Sequence, residues 1–295
     1  MSDHMEHSRK RIVITGAQGF LGSRVAQYFA SHYEVFAFGH ADLDITNRAL
    51  VMNKLADINP DAVIHCAAIS DTGYSQEHPQ ESERINLWGT VHVAEACKIC
   101  GAKLIFMSSD QVYNGNEEEG LLPEFVNLHP VSFYGLHKLE AEKEVLRVLP
   151  DAVGLRLTWM YDLPTSSMKL NRNLLVNLLQ AFQGQYTIKA AVREYRGITS
   201  VWDVVKRLNK CLNLPGGAYN FGCENKLTSY DTFLEAARCM HLPHPEQWII
   251  PDKERFLEHP RNLSMSLDKL RAHDIDFPST CEGFKLSLQT EIRKY

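Results

Sequence analysis

The stretch that decides the fold is Arg11-Ile-Val-Ile-Thr15, followed at once by Gly16-Ala-Gln-Gly-Phe-Leu-Gly22. The apolar, β-branched start is typical of a buried strand, and apolar residues from Phe20 onward recur with helical spacing. Glycines at such a junction allow a tight turn and let the backbone approach a pyrophosphate, while the helix N-terminus offers free N–H donors. The stretch therefore predicts a dinucleotide-binding loop, with these candidate residues: Gly16, Gln18, Gly19, Phe20, Leu21 and Gly22.

Strands and helices alternate from this loop to about residue 160. The predicted strands are 11–15, 34–38, 62–65, 103–107 and 152–157, and the predicted helices are 19–32, 46–58, 81–100 and 132–149. Strands that alternate with helices form parallel sheets covered on both faces. We therefore expect an α/β fold with a doubly wound parallel sheet of the Rossmann type.

The regular alternation of strands and helices ends at about residue 160. A loop over 162–167 precedes predicted helices at 170–183, 200–212 and 229–240 and short strands near 187–188 and 218–221. We expect a disordered leader over 1–10 and an NAD(P)-binding domain over 11–160. Residues 161–295 should form mainly a smaller, partly interleaved α+β substrate domain, with a segment at about 187–213 returning to the first domain.

Composition limits the possible functions. The chain has 295 residues and a net charge of −5, whereas nucleic-acid and anionic-membrane surfaces need a basic footprint. No apolar run approaches the ~18–20 residues that span a bilayer, and the N-terminus lacks the apolar stretch of a signal peptide. Seven cysteines, an odd number, are typical of reduced thiols in a cytoplasmic protein.

Metal and redox sites are not predicted. The thirteen histidines show no metal-binding spacing, so we expect no metal ion. Cys97 and Cys100 have no second cysteine pair and end a long helix, which favours buried thiols over a redox or zinc site.

Candidate catalytic residues follow the fourth predicted strand. Tyr134 and Lys138 stand four residues apart at the start of a helix and share a face, so the ammonium is expected to lower the pKa of the phenol. Such a tyrosine can exchange a proton with a carbonyl oxygen while hydride moves at the adjacent carbon. Ser109 follows a strand, at the sheet edge where α/β proteins bind ligands, and can bond to the same oxygen.

Taken in order, these motifs resemble the extended short-chain dehydrogenase/reductases, and within them the dTDP-4-dehydrorhamnose reductase branch. The glycine spacing Gly-x-x-Gly-x-x-Gly is the first point of resemblance. The others, over roughly residues 10–235, are Ala41-Asp-Leu-Asp-Ile-Thr46, Pro60-Asp-Ala-Val-Ile-His-Cys-Ala-Ala68, Asn86, Ser108-Ser-Asp-Gln-Val-Tyr113, His129-Pro-Val-Ser-Phe-Tyr134, Leu155-Arg-Leu-Thr-Trp-Met-Tyr161 and Arg196-Gly-Ile-Thr-Ser200.

The resemblance implies roles for particular residues. It makes Ser109, Tyr134 and Lys138 the catalytic trio. It places Cys66, Ala67 and Ala68 beside the cofactor, Asp44 and Ile45 beside the adenine, and Thr158, Trp159 and Met160 near the nicotinamide. Ser70, Asp110, Trp159 and Arg196 are the candidate substrate-binding residues.

The sequence also departs from the family pattern. Ser109 replaces the usual threonine but keeps the hydroxyl. Ser70-Asp-Thr-Gly-Tyr-Ser-Gln76 differs from the usual acidic run, which leaves the sugar open. Gln111 stands where nucleotide-sugar dehydratases of the superfamily carry a glutamate, and an amide cannot act as their base. Dehydration is therefore not expected.

The residues at the end of the second predicted strand bear on the choice between NAD(H) and NADP(H). NAD sites carry an acidic residue about 20 positions beyond the first glycine. Here Phe38-Gly-His40 offers no carboxylate, and His40 can donate to a 2′-phosphate. NADP(H) is therefore favoured, and NAD(H) remains possible.

The sequence thus favours an NAD(P)H-dependent reductase of a 4-keto-6-deoxy nucleotide sugar, with Tyr134 as the general acid. Two alternatives stay open. One is a nucleotide-sugar 4-epimerase with tightly bound NAD, and the other is a non-catalytic, cofactor-binding regulatory subunit. A homodimer is possible.

Overall fold

The computed structural model describes residues 9–163 and 173–292. Its strands are β1 Arg11–Thr15, β2 Glu34–Phe38, β3 Ala62–His65, β4 Lys103–Ser109, β5 Val153–Leu157, β6 Trp159–Tyr161, β7 Ile188–Ala191, β8 Glu194–Arg196, β9 Ile198–Ser200, β10 Gly217–Phe221, β11 Ile249–Asp252 and β12 Arg261–Leu263. Its α-helices are α1 Phe20–Phe29, α2 Arg48–Ile58, α3 Thr72–Glu77, α4 Pro79–Ser82, α5 Thr90–Cys100, α6 Phe133–Val148, α7 Leu174–Gly184, α8 Val201–Cys211, α9 Ser229–Cys239, α10 Asp268–Arg271 and α11 Thr280–Ile292.

A six-stranded parallel sheet organises the molecule. Its strand order is β10-β5-β4-β3-β1-β2, which runs outward in both directions from the first strands of the chain. Helices cover both faces, so the predicted doubly wound parallel sheet is confirmed. All carboxyl ends of the strands lie on one edge, and β1, β3, β4 and β5 end there in Thr15, His65, Ser109 and Leu157.

Two apolar layers hold the helices on the sheet. Along β1, side chains alternate between the faces. Ile12 and Ile14 pack with α1 and α8, while Val13 packs with α2 and α5. These strand residues are fully buried, which explains their near-continuous apolar sequence.

Local signals set the helix ends close to where the sequence predicts them. Asn47 and Ser132 cap α2 and α6 by accepting hydrogen bonds from the N–H groups of Leu50 and Gly135. Gly101 ends α5 in the left-handed conformation that glycine favours.

The predicted long helix over 81–100 is interrupted. The chain forms α4, then a π-helix over Glu83–Gly89, and only then α5. The wider π turn includes the buried Asn86, whose side chain bonds to the N–H and the carbonyl of Ile69. Apolar spacing alone does not distinguish such a turn from an ordinary α-helix.

The second half of the chain forms three further strand pairs, all parallel. These pairs are β6 with β9, β7 with β11, and β8 with β12. Strand β10 joins the main sheet beside β5, and α8 packs against α1. The main sheet layer therefore draws on residues 201–221, which overlap only the later part of the returning segment predicted at about 187–213, because residues 188–200 form β7, β8 and β9 outside the main sheet. The division into two domains remains a prediction.

Three sequence-based expectations fall wholly or partly outside the described residues. They are the leader over 1–10, most of the loop over 162–167 and the start of the helix over 170–183. No helix within the described ranges is long and apolar enough to cross a membrane.

Candidate active site

The glycine loop connects β1 to α1 and contacts the end of β3. Gly16 has a φ of +66°, and a Cβ there would lie 2.6 Å from the backbone nitrogen of Ala67. A Cβ on Gly22 would overlap the carbonyl oxygen of Gly16. Only glycine therefore permits this packing of helix against turn. Gly19 occupies the N-cap of α1, and the first-turn residues Phe20, Leu21 and Gly22 line a cavity.

This cavity, of about 400 Å³, lies over the carboxyl ends of the central strands. It is lined by fifteen of the predicted residues: Gly19, Phe20, Leu21, Gly22, Cys66, Ala68, Ser70, Ser109, Asp110, Tyr134, Lys138, Thr158, Trp159, Met160 and Arg196. Six lining residues were not predicted at the site, namely Thr72, Met107, Ser108, Gln111, Leu157 and Arg261. The residues fit a dinucleotide, because an uncapped helix N-terminus and a close-packed glycine turn form one wall.

The predicted catalytic trio meets at one side of the cavity. Ser109 and Tyr134 both line it, and the Ser109 hydroxyl is close enough to the phenol to lower the pKa of Tyr134. The Lys138 ammonium lies 5.8 Å from the centroid of the Tyr134 ring and donates to the carbonyl oxygen of Met107 at 2.9 Å. All three side chains are more than nine-tenths buried, so their interactions are weakly screened.

The expected lowering of the tyrosine pKa is wrong for this structure. Burial raises the pKa of Tyr134 to about 12, although the hydrogen bond with Ser109 opposes it. Burial also lowers the pKa of Lys138 to about 8. Lys138 directs its hydrogen bond to Met107, and burial outweighs any stabilisation of a phenolate. A phenol that keeps its proton can donate that proton to a carbonyl oxygen.

Two arginines also line the cavity. Arg196 is ion-paired with Asp110 at 2.8 Å, and its guanidinium lies 5.3 Å from the centroid of the Trp159 ring. Arg261, at the start of β12, is ion-paired with Glu194 at 2.6 Å. Within the described residues, the buried Nε atoms of Arg196 and Arg261 have no hydrogen-bond partner. This wall can therefore accept an anionic ligand.

Six predicted cofactor-binding residues stand outside the cavity lining: Gly16, Gln18, His40, Asp44, Ile45 and Ala67. Gly16 and Ala67 pack against each other behind the loop. The Gln18 side chain packs against Gly39, at the end of β2, and His40 is exposed beside it.

Asp44 and Ile45 have structural contacts. The Asp44 carboxylate accepts hydrogen bonds from the backbone and the hydroxyl of Thr46, at 2.9 and 2.8 Å. Ile45 is buried against Gly89.

The inference that no carboxylate stands at the end of β2 needs correction. The sequence offered no carboxylate at the strand end, but the Asp42 carboxylate accepts the N–H of Gly39 at 3.0 Å. The chain turns back after Gly39, since the N–H groups of Asp42 and Leu43 both bond to its carbonyl. A tight turn thus brings an acid from three positions later to the place where NAD sites carry theirs.

Buried polar residues near the loop were also missed or misjudged. Arg24, on α1, is fully buried and bonds to Asp162. His65 bonds to Thr15 and Thr90 through its two ring nitrogens, at 2.7 and 3.2 Å. Burial lowers the pKa of His65 to about 3.

Metal binding has no support in the described part of the chain, where no group of three or more His, Cys, Asp or Glu side chains could hold an ion. All seven cysteines lie within the described ranges, and each is a free thiol.

The fold and this site define the chain as a dinucleotide-binding α/β protein with a Ser–Tyr–Lys group at the sheet edge. The sequence pattern of the RmlD substrate binding domain family matches residues 10–291. The chain belongs to that family.

Individual relatives agree with this assignment. A dTDP-4-dehydrorhamnose reductase from Aggregatibacter actinomycetemcomitans is 30% identical over 277 residues, which are 88% of this chain and 92% of that protein. The reductase of the same name from Mycolicibacterium smegmatis is 35% identical over 153 residues, 52% of this chain and only 46% of that protein. Methionine adenosyltransferase 2 subunit beta from Xenopus laevis is 27% identical over 276 residues, 86% of this chain and 79% of that protein.

Among solved structures, dTDP-4-dehydrorhamnose reductase from Bacillus anthracis in complex with NADP superposes with a TM-score of 0.84 at 24% identity. The superposition covers 96% of this chain and 99% of that one. The whole described fold, including the strand pairs of the second half, therefore has a counterpart among known structures.

Proposed function

We propose that this protein is an NAD(P)H-dependent reductase of a 4-keto-6-deoxy nucleotide sugar, similar to dTDP-4-dehydrorhamnose reductases. The observation that carries the proposal is that Ser109, Tyr134 and Lys138 line one cavity together with the start of α1, directly after the glycine loop. The names of the reductases in the same family support the substrate class.

Each member of the trio has a distinct task. The Tyr134 phenol keeps its proton and delivers it to the keto oxygen as general acid. Ser109 donates a hydrogen bond to the same oxygen and thereby orients the carbonyl. The Lys138 ammonium lies near the phenol and stabilises the negative charge that remains after proton transfer. A bound nicotinamide cofactor would supply the hydride.

The arginine wall supports a substrate that carries phosphate groups. Arg196 and Arg261 offer guanidinium donors in the cavity lining. A nucleotide sugar carries a diphosphate next to its sugar, so this wall would hold the diphosphate while the sugar faces Tyr134. Trp159, whose ring centroid lies 5.3 Å from the Arg196 guanidinium, presents a flat apolar surface for a sugar ring. Ser70 and Asp110 complete the proposed substrate contacts.

For the cofactor we favour NADP(H) and keep NAD(H) as a second possibility. His40 can donate to a 2′-phosphate, whereas the Asp42 carboxylate near Gly39 favours a free ribose hydroxyl. The two groups act in opposite directions, which fits an enzyme that accepts both cofactors.

A second candidate function comes from the relative that is a subunit of methionine adenosyltransferase. By that analogy the chain would bind a cofactor and a partner enzyme without turning over a sugar nucleotide. The intact trio favours the reductase. An epimerase, the other alternative, would retain NAD through purification and show no net oxidation.

The test is the decrease of reduced-nicotinamide absorbance with purified protein and dTDP-4-dehydrorhamnose, measured with NADPH and with NADH. The proposal expects substrate-dependent oxidation of either cofactor, faster with NADPH. A protein that binds NADPH but oxidises none with any 4-keto nucleotide sugar would contradict the reductase. Capture of one stoichiometric adenosyltransferase partner would then favour the subunit.

A further inference from the structure

Three side chains at four-residue intervals on α6 face the last three residues of β4. The Ser109 hydroxyl lowers the pKa of Tyr134, and Lys138 donates to the Met107 carbonyl at 2.9 Å. One turn further on, Glu142 accepts a hydrogen bond from the Ser108 hydroxyl. Residues at i, i+4 and i+8 lie along one face of a helix, so these bonds set the position of α6 along the end of β4.

Glu142 has the most partners of the three and takes no part in the proposed chemistry. Its side chain is buried, and Arg156 of β5 binds both carboxylate oxygens, at 3.0 Å through Nε and 2.7 Å through the terminal nitrogen. Such bidentate pairs are geometrically specific, because the planar fork of the guanidinium matches the carboxylate.

The same arginine reaches the turn that follows Ser109. Its other terminal nitrogen donates to the hydroxyl of Tyr113 at 2.8 Å, and that hydroxyl donates to Asn220 at 2.7 Å. Tyr113 is the last residue of the 3-10 turn Asp110–Tyr113. Glu142 and Arg156 therefore connect the helix of Tyr134 and Lys138 to both ends of the segment that carries Ser109.

The charged and titratable groups around Lys138 come from two elements. His65 and Cys66 lie at the end of β3, while Tyr134 and Glu142 stand on α6 itself. Among these, burial keeps His65 neutral and raises the pKa of the Cys66 thiol to about 12, so Cys66 is also neutral near pH 7. Glu142 is therefore the carboxylate that raises the pKa of Lys138 against the effect of burial.

Glu142 itself faces other charges. Arg156 approaches it from β5, and Lys269 of α10 lies within electrostatic range of both Glu142 and Glu124. The pair of Glu142 and Arg156 is thus nearly neutral overall. Its carboxylate, however, stands on α6, the helix that also carries Lys138.

We propose that Glu142 is a positioning residue for the catalytic trio: its carboxylate fixes α6 against β4 and places a negative charge one helical turn from Lys138. The inference rests on the proposed reductase function for its catalytic meaning, but its physical content can be measured without substrate.

The direct test is an NMR titration of the protein labelled with 13C at lysine Cε, with the Lys138 resonance assigned by its loss in Lys138→Met. In Glu142→Gln the pKa of Lys138 should fall by about one unit, the lower end of the ~1–3 units that a neighbouring opposite charge produces. Glu142→Asp, which keeps the charge, should titrate near the wild type. Glu144→Gln is the matched control, because Glu144 is on the same helix but pairs with Arg147 at the surface. An unchanged Lys138 titration in folded Glu142→Gln overturns the electrostatic part.

Loss of Glu142 leaves the buried Arg156 charge without its partner and destabilises the fold. The double variant Glu142→Gln/Arg156→Gln removes both charges and provides a second protein for the titration. The downward shift of the Lys138 pKa should be smaller there than in Glu142→Gln, because the Arg156 charge is removed as well, and an equal or larger shift counts against the proposal.

Ser108→Ala tests the positioning part, because it removes one bond between α6 and β4 and no charge. We expect kcat to fall at least about fivefold at every pH, with the NADPH Kd and the Lys138 titration unchanged. Wild-type kcat in Ser108→Ala overturns this part. If the wild type reduces no nucleotide sugar, the proposed function fails, while the titration still decides the role of Glu142.

Discussion

The guanidinium of Arg24 lies 2.6 Å from the carboxylate of Asp162, and both side chains are buried. Arg24 belongs to α1, directly after the glycine loop, and also donates to the carbonyl of Phe20 at 2.7 Å. Asp162 follows β6. This ion pair therefore joins the phosphate-loop helix to the second half of the chain across 138 positions of sequence.

Removal of one partner of this pair should be costly. Asp162→Asn leaves the Arg24 charge buried without its counterion, and we expect a loss of about 3–5 kcal/mol in the free energy of unfolding. The exposed pair of Glu144 and Arg147 offers the control, since Arg147→Ala should change stability by less than about 1 kcal/mol. Urea unfolding at pH 7 measures both, and equal effects in the two variants would refute the structural role.

The sequence could not reveal this pair for a physical reason. Arginines on a predicted amphipathic helix usually lie at the surface, and nothing local to Arg24 indicates a carboxylate so distant in sequence. The strand–glycine–helix pattern, by contrast, is local, and the sequence alone predicted the loop and the sheet from it.

His65 should make stability depend on pH. The Thr90 hydroxyl donates to the Asn86 carbonyl, so it accepts a hydrogen bond from one ring nitrogen of His65. The other ring nitrogen accepts from Thr15, and a ring that donates at one nitrogen and accepts at the other is neutral. Burial lowers the folded pKa to about 3, against about 6.5 when unfolded. The contribution of His65 is fully present above pH 6.5 and is lost as pH falls toward 3, because only the unfolded chain then binds the proton.

Between pH 7.5 and 5.0 this loss should amount to about 2 kcal/mol, at 1.36 kcal/mol for each pH unit below 6.5. Urea unfolding of His65→Asn at both pH values should show a correspondingly smaller difference. His32→Asn, at an exposed histidine, serves as the control and should keep the wild-type difference. A His65→Asn protein with the full wild-type pH dependence would exclude His65 as its source.

Arg261 should act on substrate binding more than on chemistry. Arg261→Gln removes a charged donor from the cavity wall. We expect KM for the nucleotide sugar to rise at least about tenfold, because a hydrogen bond from a charged group contributes ~1.5–3 kcal/mol. kcat should change little. Arg193→Gln is the control, because Arg193 lies outside the cavity lining and donates to Lys253. A large fall in kcat with unchanged KM would contradict this assignment.

Asp42 should limit the preference for NADPH. Its carboxylate is exposed beside Gly39, where it repels a 2′-phosphate, so Asp42→Asn should raise the NADPH-to-NADH ratio of kcat/KM by about fivefold, or ~1 kcal/mol. Asp57→Asn, at an exposed position of α2, should leave the ratio unchanged. A ratio that stays the same in Asp42→Asn would show that the carboxylate does not face the ribose.

Site residues that belong to short sequence motifs could be predicted, whereas those that only the tertiary fold brings into the site could not. Tyr134, Lys138 and Ser109 follow from helix spacing and from the end of a predicted strand. Arg261 enters the same cavity through β12, which pairs with β8 late in the chain, and no local pattern marks it. Asp42 reaches Gly39 through a turn that apolar spacing does not reveal.

The most direct test of the central claim compares wild-type protein with Tyr134→Phe in the NADPH oxidation assay with dTDP-4-dehydrorhamnose. Tyr186→Phe, at an exposed tyrosine after α7, is the control. Proton transfer by a positioned acid contributes about 10²–10⁴-fold, so kcat should fall at least 100-fold in Tyr134→Phe while NADPH binding persists. Wild-type turnover in Tyr134→Phe would contradict the assignment of Tyr134 as the acid that completes the reduction.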